Sequence, residues 1–389
     1  MAVVDPRSGF VSLVAGASSS RLPVAVPTLP TADEVLPYLR RIDASGWYSN
    51  FGPLVRELEA RLASRFAHPT EVVTVANGTL GLTLALQALD LPRGGLCAIP
   101  SWTFVATAHA VRMAGLTPWF VDVEPEGGQL TPDLLSEVLP RAPGPVVAAM
   151  PVSVMGRPVS VESWVAFREA TGLPVILDAA AGFDAVHDAT VPVMVSLHAT
   201  KALGIGEGAF LATRDPVLAR RWRALTNFAF MGDRTARFPA TNAKLSEYAA
   251  AVGLAALEIW PDTRNRYIAA ARRLRIALSD EPRVCFQPGW GLDWISSTCL
   301  VSLPEGSAED VGMALARAEV ETRRWWGQGC HAAPAFADCP ADRLAATRRL
   351  ADSSLGLPFF AHMQPEHINR VARALKLALN SPVGEGTPT

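Results

Sequence analysis

Several classes of protein are excluded by what this chain lacks. Its cysteines number only five and are scattered, so we expect no disulfide framework and favour a reducing compartment. No apolar run is long enough to cross a bilayer without a proline or a charge. The first residues, which include Asp5 and Arg7, lack the basic lead-in of a signal peptide. We therefore expect a cytoplasmic protein with no membrane partner.

The chain also lacks an excess of charge of either sign. Its 35 basic and 37 acidic residues give a net charge of -2, which argues against a nucleic-acid partner. Cys330, His331 and Cys339 lie close together, but no second Cys-x-x-Cys or His-x-x-x-His pair accompanies them, so no metal site is predicted. Internal repeats and low-complexity blocks are missing as well.

What the chain does have is length and apolar content. Its 389 residues are 49% hydrophobic, enough for a large core and two domains. Apolar strand-like runs alternate with helical patterns, which predicts an α/β fold with a mostly parallel sheet sandwiched by helices. The predicted strands lie near residues 72–75, 96–99, 117–121, 145–150, 174–178, 191–197 and 208–213.

Local signals predict further helices and a second domain. Thr31 and Glu34 form the pattern of a capping box, and Pro53 is well placed to begin another helix. A long helix near 245–260 is expected to break at Pro261, with a connecting helix over 263–278. A strand near 297–303 and helices near 307–319 and 364–379 would complete a smaller α+β domain. The predicted units are a flexible N-terminus (1–24), a large domain (25–262), a small domain (263–380) and a mobile tail (381–389).

A carboxylate and a lysine follow two of the predicted strands. Asp178 ends the apolar run Val175-Ile176-Leu177, where a charge is costly to bury without a cationic partner. Lys201 follows the next strand and enters a stretch of small residues. A protonated pyridine nitrogen would suit the carboxylate, and the lysine amine could bind a cofactor aldehyde covalently. The alternative is an aspartate that caps a helix and a lysine at the surface.

Residues 71–89 have the pattern of an anion site. A strand over 71–75, a turn over 77–79 and an apolar helix over 80–89 would direct unpaired amides and the positive end of a helix dipole at a ligand. Ser196 could add a hydroxyl donor. The alternative is that the turn only caps the helix.

With these motifs, residues 25–380 resemble the DegT/DnrJ/EryC1/StrS aminotransferases, which are enzymes of fold type I that depend on pyridoxal 5'-phosphate (PLP). The resemblance depends on eight segments in collinear order. These are GWYSNFGPLVRELE (46–59), NGTLGLTLAL (77–86), IPSWTFVATAHAV (99–111), FVDVEP (120–125), DAAA (178–181), SLHATKALGIGEG (196–208), TNAKLSEYAAAVGLAALE (241–258) and SLGLPFFAHM (354–363).

The resemblance implies the following catalytic and phosphate-binding residues. Lys201 would bind the cofactor and carry the proton, and Asp178 would pair with the ring nitrogen so that the ring acts as an electron sink. Gly78, Thr79 and Ser196 would donate hydrogen bonds to the phosphate.

Two further residues are implied by the same resemblance. Phe104 would stack over the ring, although its spacing with Val105 and Val111 also fits a core residue. Asn242 would reach the phosphate of a neighbouring subunit, which implies a homodimer with shared active sites.

The chain departs from the family pattern at several positions. Ala181 occupies the cofactor-binding position where the family has Gln or His beside the phenolic oxygen, so that hydrogen bond must come from elsewhere or be absent. Leu177 and Ala209 replace Glu and Gly, and Ser153 replaces a common His. The segment 182–195 is shorter than usual. These departures bear mainly on which substrate the protein accepts.

The implied reaction moves an amino group from an amino acid, usually L-glutamate, through pyridoxamine 5'-phosphate to a keto sugar on a nucleotide. A keto cyclitol acceptor, a PLP-dependent sugar dehydratase and a non-catalytic regulator with the same fold are the alternatives. Lys201 disfavours the dehydratase, because the dehydratases of this family have His there. We interpret His198 as structural. By position in the family pattern, the sugar-nucleotide pocket would be walled by Trp47, Tyr48, Trp325, Trp326 and His331.

Overall fold

A computed structural model of the protein describes residues 21–380, and its centre is a sheet of seven strands. These are β1 (Glu71–Val75), β2 (Leu96–Pro100), β3 (Thr117–Val121), β4 (Val146–Ala149), β5 (Leu177–Asp178), β6 (Val193–Ser196) and β7 (Ala209–Thr213). They lie in the order β3-β2-β4-β5-β6-β7-β1, in which single bridges from Ala149 to Val175 and from Val152 to Asp178 join the two halves. Only β7 is antiparallel to its neighbours. The predicted α/β class with a mostly parallel sheet is confirmed.

Both faces of the large sheet are buried. Along β6, Val193 and Val195 belong to one hydrophobic cluster and Met194 to another. This alternation arises because successive side chains of a strand point to opposite faces. The sheet therefore has a core on each side, as expected when helices cover both faces.

Eight helices precede the small sheet along the described chain. They are α1 (Ala32–Ser45), α2 (Pro53–Ala63), α3 (Gly78–Gln87), α4 (Val105–Met113), α5 (Pro132–Val138), α6 (Val161–Thr171), α7 (Pro216–Leu225) and α8 (Glu247–Ala277). The predicted capping box of α1 is present: Thr31 N donates to Glu34 Oε2 at 2.7 Å and Glu34 N donates to Thr31 Oγ1 at 3.4 Å. Pro53 is the first residue of α2, as predicted.

The C-terminal part contains a second sheet. Its strands β8 (Cys285–Phe286), β9 (Cys299–Ser302) and β10 (Ser354–Leu357) lie in the antiparallel order β10-β9-β8. The accompanying helices are α9 (Ala308–Arg317), α10 (Ala345–Ser353) and α11 (Pro365–Asn380). Helix α11 packs on α9 and α8, which attaches this part to the rest of the molecule.

The predicted break at Pro261 is wrong, because α8 continues through it. A proline inside a helix costs about 3 kcal/mol, since it removes one hydrogen bond and crowds the preceding turn. Packing offsets that cost here, because α8 buries Trp260 and Tyr267 on either side of the proline. The boundary predicted between residues 262 and 263 therefore falls inside one helix, and the division into two domains stays a prediction.

The structure differs from the prediction at the start of the described chain. Leu22 forms a bridge with Val320, and both Leu22 and Val24 are buried, so this part of the predicted flexible N-terminus is packed. Residues 1–20 and the predicted mobile tail lie outside the described residues. Across 21–380, no helix is long and apolar enough to cross a membrane.

Candidate active site

The two residues that the sequence singles out lie at one edge of the large sheet. Asp178 is the last residue of β5, and β6 ends at Ser196, five residues before Lys201. The strands are parallel neighbours, with Asp178 opposite Met194. The chain therefore leaves both strands at the same edge, where open parallel sheets bind their ligands.

Asp178 is a buried carboxylate held by two hydrogen bonds. Thr107 Oγ1 donates to its Oδ2 at 2.8 Å, and the amide of Ala180 donates to its Oδ1 at 3.1 Å. Burial raises the pKa of Asp178, while both hydrogen bonds and the charge of Lys201 oppose the rise. Within 21–380 it has no ion-pair partner in contact. The site can therefore accept a cation, such as a protonated ring nitrogen.

Lys201 lies in a loop that is held by hydrogen bonds within its own backbone. Its amide donates to the carbonyl of His198 at 2.9 Å, and the amide of Ala199 donates to the carbonyl of Gly206 at 2.7 Å. Burial lowers the pKa of Lys201, against the attraction of Asp178. A lowered pKa increases the neutral fraction of the amine, which is the form that attacks an aldehyde or takes a proton.

Lys201 is one of only three lysines in the chain, with Lys244 and Lys376. Lys244 donates hydrogen bonds to two asparagines, Asn227 and Asn242, and Lys376 forms an ion pair with Asp280. In the described residues, the Lys201 amine has no such partner. It is therefore the lysine best placed to react.

The predicted anion site surrounds the first turn of α3. Asn77 caps the helix by accepting from Leu80 N at 2.9 Å, and within 21–380 the amides of Gly78 and Thr79 have no acceptor. A Cβ added at Gly78 would lie 3.2 Å from Met194 Sδ and 3.6 Å from Ser196 Cβ, so Gly78 and Ser196 are adjacent. Two free amides and the positive end of the helix can hold a phosphate.

Ser196 has a hydrogen available for the same ligand. Its Oγ accepts from the amide of His198 at 3.2 Å, which leaves the hydroxyl proton free to donate. His198 itself contacts Thr200 Oγ1 at 2.8 Å and lies 3.5 Å from Glu207 Oε1. Those contacts within its own loop agree with the interpretation of His198 as structural.

Phe104 is an exposed aromatic residue at the start of α4. Its side chain is 61% exposed, whereas Val111 on the same helix is fully buried. The core alternative for Phe104 is therefore wrong. Because Thr107, one turn later, contacts Asp178, the start of α4 lies at the edge of the sheet that holds Asp178. A flat apolar face there can stack on a planar ligand.

A loop of the C-terminal part reaches the connection between β2 and α4. His331 Nδ1 lies 2.6 Å from Ser101 Oγ, and the ring of Trp326 meets Trp102 edge-on at 5.4 Å. Burial and the charge of Arg348 lower the pKa of His331, so the imidazole is mainly neutral near pH 7. Trp326 and His331 thus lie against Ser101 and Trp102, which precede Phe104 by three and two residues.

Trp47 and Tyr48 lie in a different place. Both are about half exposed, and Tyr48 stacks on Tyr248 of α8 with ring centroids 6.2 Å apart. The amide of Glu247 donates to the carbonyl of Tyr48, which fixes this loop on the start of α8. The single chain gives them no described contact with Asp178 or Lys201.

Asn242 is also exposed, and its neighbour Ala243 accepts a hydrogen bond of 2.8 Å from the amide of Ala76, two residues before Gly78. Asn242 Oδ1 accepts a hydrogen bond of 2.7 Å from Lys244 Nζ. With the oxygen so engaged, its NH2 group remains available as a donor. The exposed position agrees with a role toward a second subunit.

At Ala181 the site has no polar side chain. The Ala181 carbonyl lies against Gly156, where an added Cβ would be 2.5 Å away. The nearby Ser153 hydroxyl donates its proton to the carbonyl of Arg157 at 2.7 Å. That proton is therefore not available to replace the hydrogen bond of the family Gln or His.

Two residues of the site were missed by sequence reasoning. Thr107 contacts Asp178, and Ser297 contacts the backbone beside Lys201. A hydroxyl within the apolar stretch 105–111 was a usable signal for Thr107. No local pattern marked Ser297, because its partner is 97 residues away.

The residues at this edge fit PLP. The buried carboxylate without a cation suits the ring nitrogen, the crowded Gly78 and its free amides suit the phosphate, and Phe104 suits the ring face. Lys201 suits the aldehyde. No group of three or more His, Cys, Asp or Glu in the described part of the chain could hold a metal ion.

Comparison with known proteins points the same way. The sequence model of the DegT/DnrJ/EryC1/StrS aminotransferase family matches residues 31–376. The erythromycin biosynthesis sensory transduction protein EryC1 of Saccharopolyspora erythraea is 31% identical over 350 residues, covering 87% of this chain and 93% of EryC1. A dTDP-4-amino-4,6-dideoxy-D-glucose transaminase of Escherichia coli is 33% identical over 245 residues, covering 61% of this chain and 64% of that enzyme.

A solved structure agrees with these relatives. DesI, crystallised in the presence of its TDP-sugar product, superposes with a TM-score of 0.84 at 32% identity. The match covers 93% of this chain and 94% of DesI.

Proposed function

Because the chain belongs to the DegT/DnrJ/EryC1/StrS aminotransferase family, we propose that this PLP-dependent aminotransferase moves an amino group from L-glutamate to a nucleotide-linked keto sugar. The observation that carries the proposal is the placement of Lys201 and the buried Asp178 on adjacent parallel strands. The TDP-sugar product of DesI and the name of the E. coli relative support a sugar nucleotide as the acceptor.

Lys201 and Asp178 divide the chemistry between them. When bound, PLP supplies an aldehyde that joins amines and a protonated ring that withdraws electrons. The Lys201 amine, with its pKa lowered by burial, takes the proton from the donor's α carbon and later returns one to the acceptor carbon. The Asp178 carboxylate holds the proton on the ring nitrogen, since its burial makes a lone negative charge costly.

The remaining residues bind and orient. The amides of Gly78 and Thr79 and the hydroxyls of Thr79 and Ser196 would hold the cofactor phosphate, and Phe104 would cover one face of the ring. Ala181 leaves the phenolic oxygen without a side-chain partner at that position. Trp326 and His331, beside the connection from β2 to α4, form part of the wall for the sugar nucleotide.

A homodimer with shared active sites is part of the proposal. Asn242 is exposed and its oxygen accepts from Lys244, which leaves its NH2 group available as a donor to a partner's phosphate. Trp47 and Tyr48 would then face the pocket of the other subunit. Their half-exposed rings in the single chain support this placement.

The test has two stages on one preparation. The PLP-loaded protein is first mixed with L-glutamate, and 2-oxoglutarate is measured. A dTDP-linked 4-keto-6-deoxy sugar and a keto cyclitol are then offered separately, with the amino product identified by mass spectrometry. Lys201→Ala is the inactive control, and Lys376→Ala, on the surface, is the matched lysine control.

Each stage can contradict a different part of the proposal. Absence of 2-oxoglutarate from the loaded wild-type protein would reject L-glutamate as the donor. Amination of the cyclitol but not of the nucleotide sugar would reject the acceptor. Full activity of Lys201→Ala at both stages would reject the assignment of the catalytic lysine.

A further inference from the structure

A buried hydroxyl lies directly behind the carboxylate of the site. Thr107 is 1% exposed, and its Oγ1 donates to Asp178 Oδ2 at 2.8 Å. The other oxygen of Asp178 accepts from the amide of Ala180. Each carboxylate oxygen therefore has one fixed donor, and rotating the carboxylate would break both hydrogen bonds.

The direction of the hydrogen bonds follows from the chemistry of the groups. An ionised carboxylate only accepts, so the single hydroxyl proton of Thr107 is committed to Asp178. Thr103 Oγ1 lies 2.8 Å from Thr107 Oγ1 and must then be the donor of that pair. Thr103 is also 1% exposed. The result is an ordered chain from Thr103 to Thr107 to Asp178.

Such a chain stabilises the charged form of the carboxylate. A hydrogen bond to a charged group is worth more than one between neutral groups, and successive hydroxyls in a buried chain polarise one another. Each oxygen of Asp178 keeps a second lone pair, which is free to accept from a ring N–H.

We propose that Thr107, supported by Thr103, is a positioning residue that fixes the Asp178 carboxylate in its charged form and so sets how tightly the protein holds the cofactor's ring nitrogen. The inference rests on the proposed role of Asp178. It adds that this role depends on a hydroxyl that does not touch the cofactor.

The test measures binding and not turnover. Apo-protein is titrated with PLP and with a PLP analogue whose ring nitrogen is replaced by C–H, and the ratio of the two dissociation constants is the readout. Thr107→Val keeps the shape but removes the hydroxyl, and Thr107→Ser keeps the hydroxyl. Thr347→Val is the matched control, because Thr347 is a buried threonine that donates at 2.8 Å to another carboxylate, Asp122.

We expect the wild-type protein to prefer PLP over the analogue and Thr107→Val to reduce that preference about tenfold, as the loss of one hydrogen bond to a charge predicts. Thr107→Ser and Thr347→Val should keep the wild-type preference to within about twofold, since both retain the Asp178 hydrogen bond. If Thr107→Val does not fold, Thr107→Ala gives the same comparison.

Two results would overturn the inference in distinguishable ways. An unchanged preference in Thr107→Val, with both ligands weakened equally, would mean that Thr107 only packs. Equal affinity of the wild-type protein for both ligands would reject the role of Asp178, and with it the basis of the inference.

Discussion

The hydroxyl of Ser297 donates a hydrogen bond of 2.7 Å to the carbonyl oxygen of Thr200, the residue that precedes Lys201. Ser297 comes from the segment between β8 and β9, so the C-terminal part of the chain holds the loop of the candidate catalytic lysine. The loop that carries Lys201 follows a strand of the large sheet, and a residue from the segment that leads into the small sheet holds that loop by a hydrogen bond.

Ser297→Ala should slow the capture of PLP by Lys201. Ser297 is buried, so its loss leaves the Thr200 carbonyl without its donor and loosens the loop. We expect a decrease of about three- to tenfold in the rate at which the bound-cofactor absorbance appears, in line with the value of one neutral hydrogen bond. Ser279→Ala, which removes an exposed side-chain hydrogen bond to Ile276, is the control. Equal rates in both variants would contradict the prediction.

The scarcity of lysine makes the covalent site easy to identify. Borohydride reduction of the PLP-loaded protein should fix the cofactor on the peptide that contains Lys201 and not on those of Lys244 or Lys376. Lys201→Ala should abolish fixation and lower amino transfer about 1000-fold or more, since a positioned acid–base group contributes about that factor. Recovery of the label on Lys244 in the wild-type protein would refute the assignment.

Phe104→Ala should weaken PLP binding without destabilising the fold. The side chain is 61% exposed, so its removal creates no cavity. Lost stacking predicts an affinity decrease of about two- to tenfold. Leu292→Ala, at a residue 60% exposed, is the control for removing a surface apolar group. A large fall in the unfolding temperature of apo Phe104→Ala would show that the ring supports the fold instead.

Asp178→Asn should stabilise the apo-protein while it weakens cofactor binding. Because burial raises the pKa of Asp178 above its ordinary value of 3.8, its contribution to stability is present at low pH and is lost as the pH rises through the raised value. Near neutral pH the variant should therefore unfold about 2 °C above the wild-type apo-protein, and the gap should narrow as the pH falls. With PLP bound, the wild-type protein should unfold at a higher temperature than the variant.

Asp184→Asn gives the contrasting case. Asp184 is buried in an ion pair with Arg264 and accepts from the amide of Ile295. The variant loses the charge that strengthens the hydrogen bonds to this buried side chain, so it should unfold at a lower temperature. Thermal unfolding at several pH values checks both variants. If Asp178→Asn unfolds below the wild-type apo-protein at every pH, the buried charge of Asp178 does not destabilise the apo-protein and the prediction is wrong.

Hybrid dimers test whether sites are shared. Subunits carrying Lys201→Ala and subunits carrying Asn242→Ala are each impaired alone. If Asn242 serves the partner's site, a mixed dimer contains one site with both wild-type residues and should regain about half of the wild-type PLP content when tagged hybrids are isolated. If each site lies within one chain, no site in the hybrid is restored.

The architecture was predictable because strands and caps leave local signals. The apolar runs predicted over 174–178 and 191–197 contain β5 and β6, and Thr31 with Glu34 marked the start of α1. The family match confirms the resemblance that the eight collinear segments suggested.

What could not be predicted depends on contacts between distant segments. Pro261 alone indicates a break, and only its packed surroundings keep α8 continuous. Strand β8 has two residues, too few for a periodic pattern. Ser297 and Thr107 gained their roles from partners 97 and 71 residues away.

Helix α8 is the longest helix of the described chain, and helices from both parts of the molecule pack on it. It has 31 residues and contacts α1, α2 and α11. At 1.5 Å per residue it is about 46 Å long, so a tilt of about 5° at one end moves the other end by about 4 Å. Pro261 removes one backbone hydrogen bond near the middle, so bending is easiest there. A bend at Pro261 would therefore move α11 relative to α1 and α2, because all three helices pack on α8.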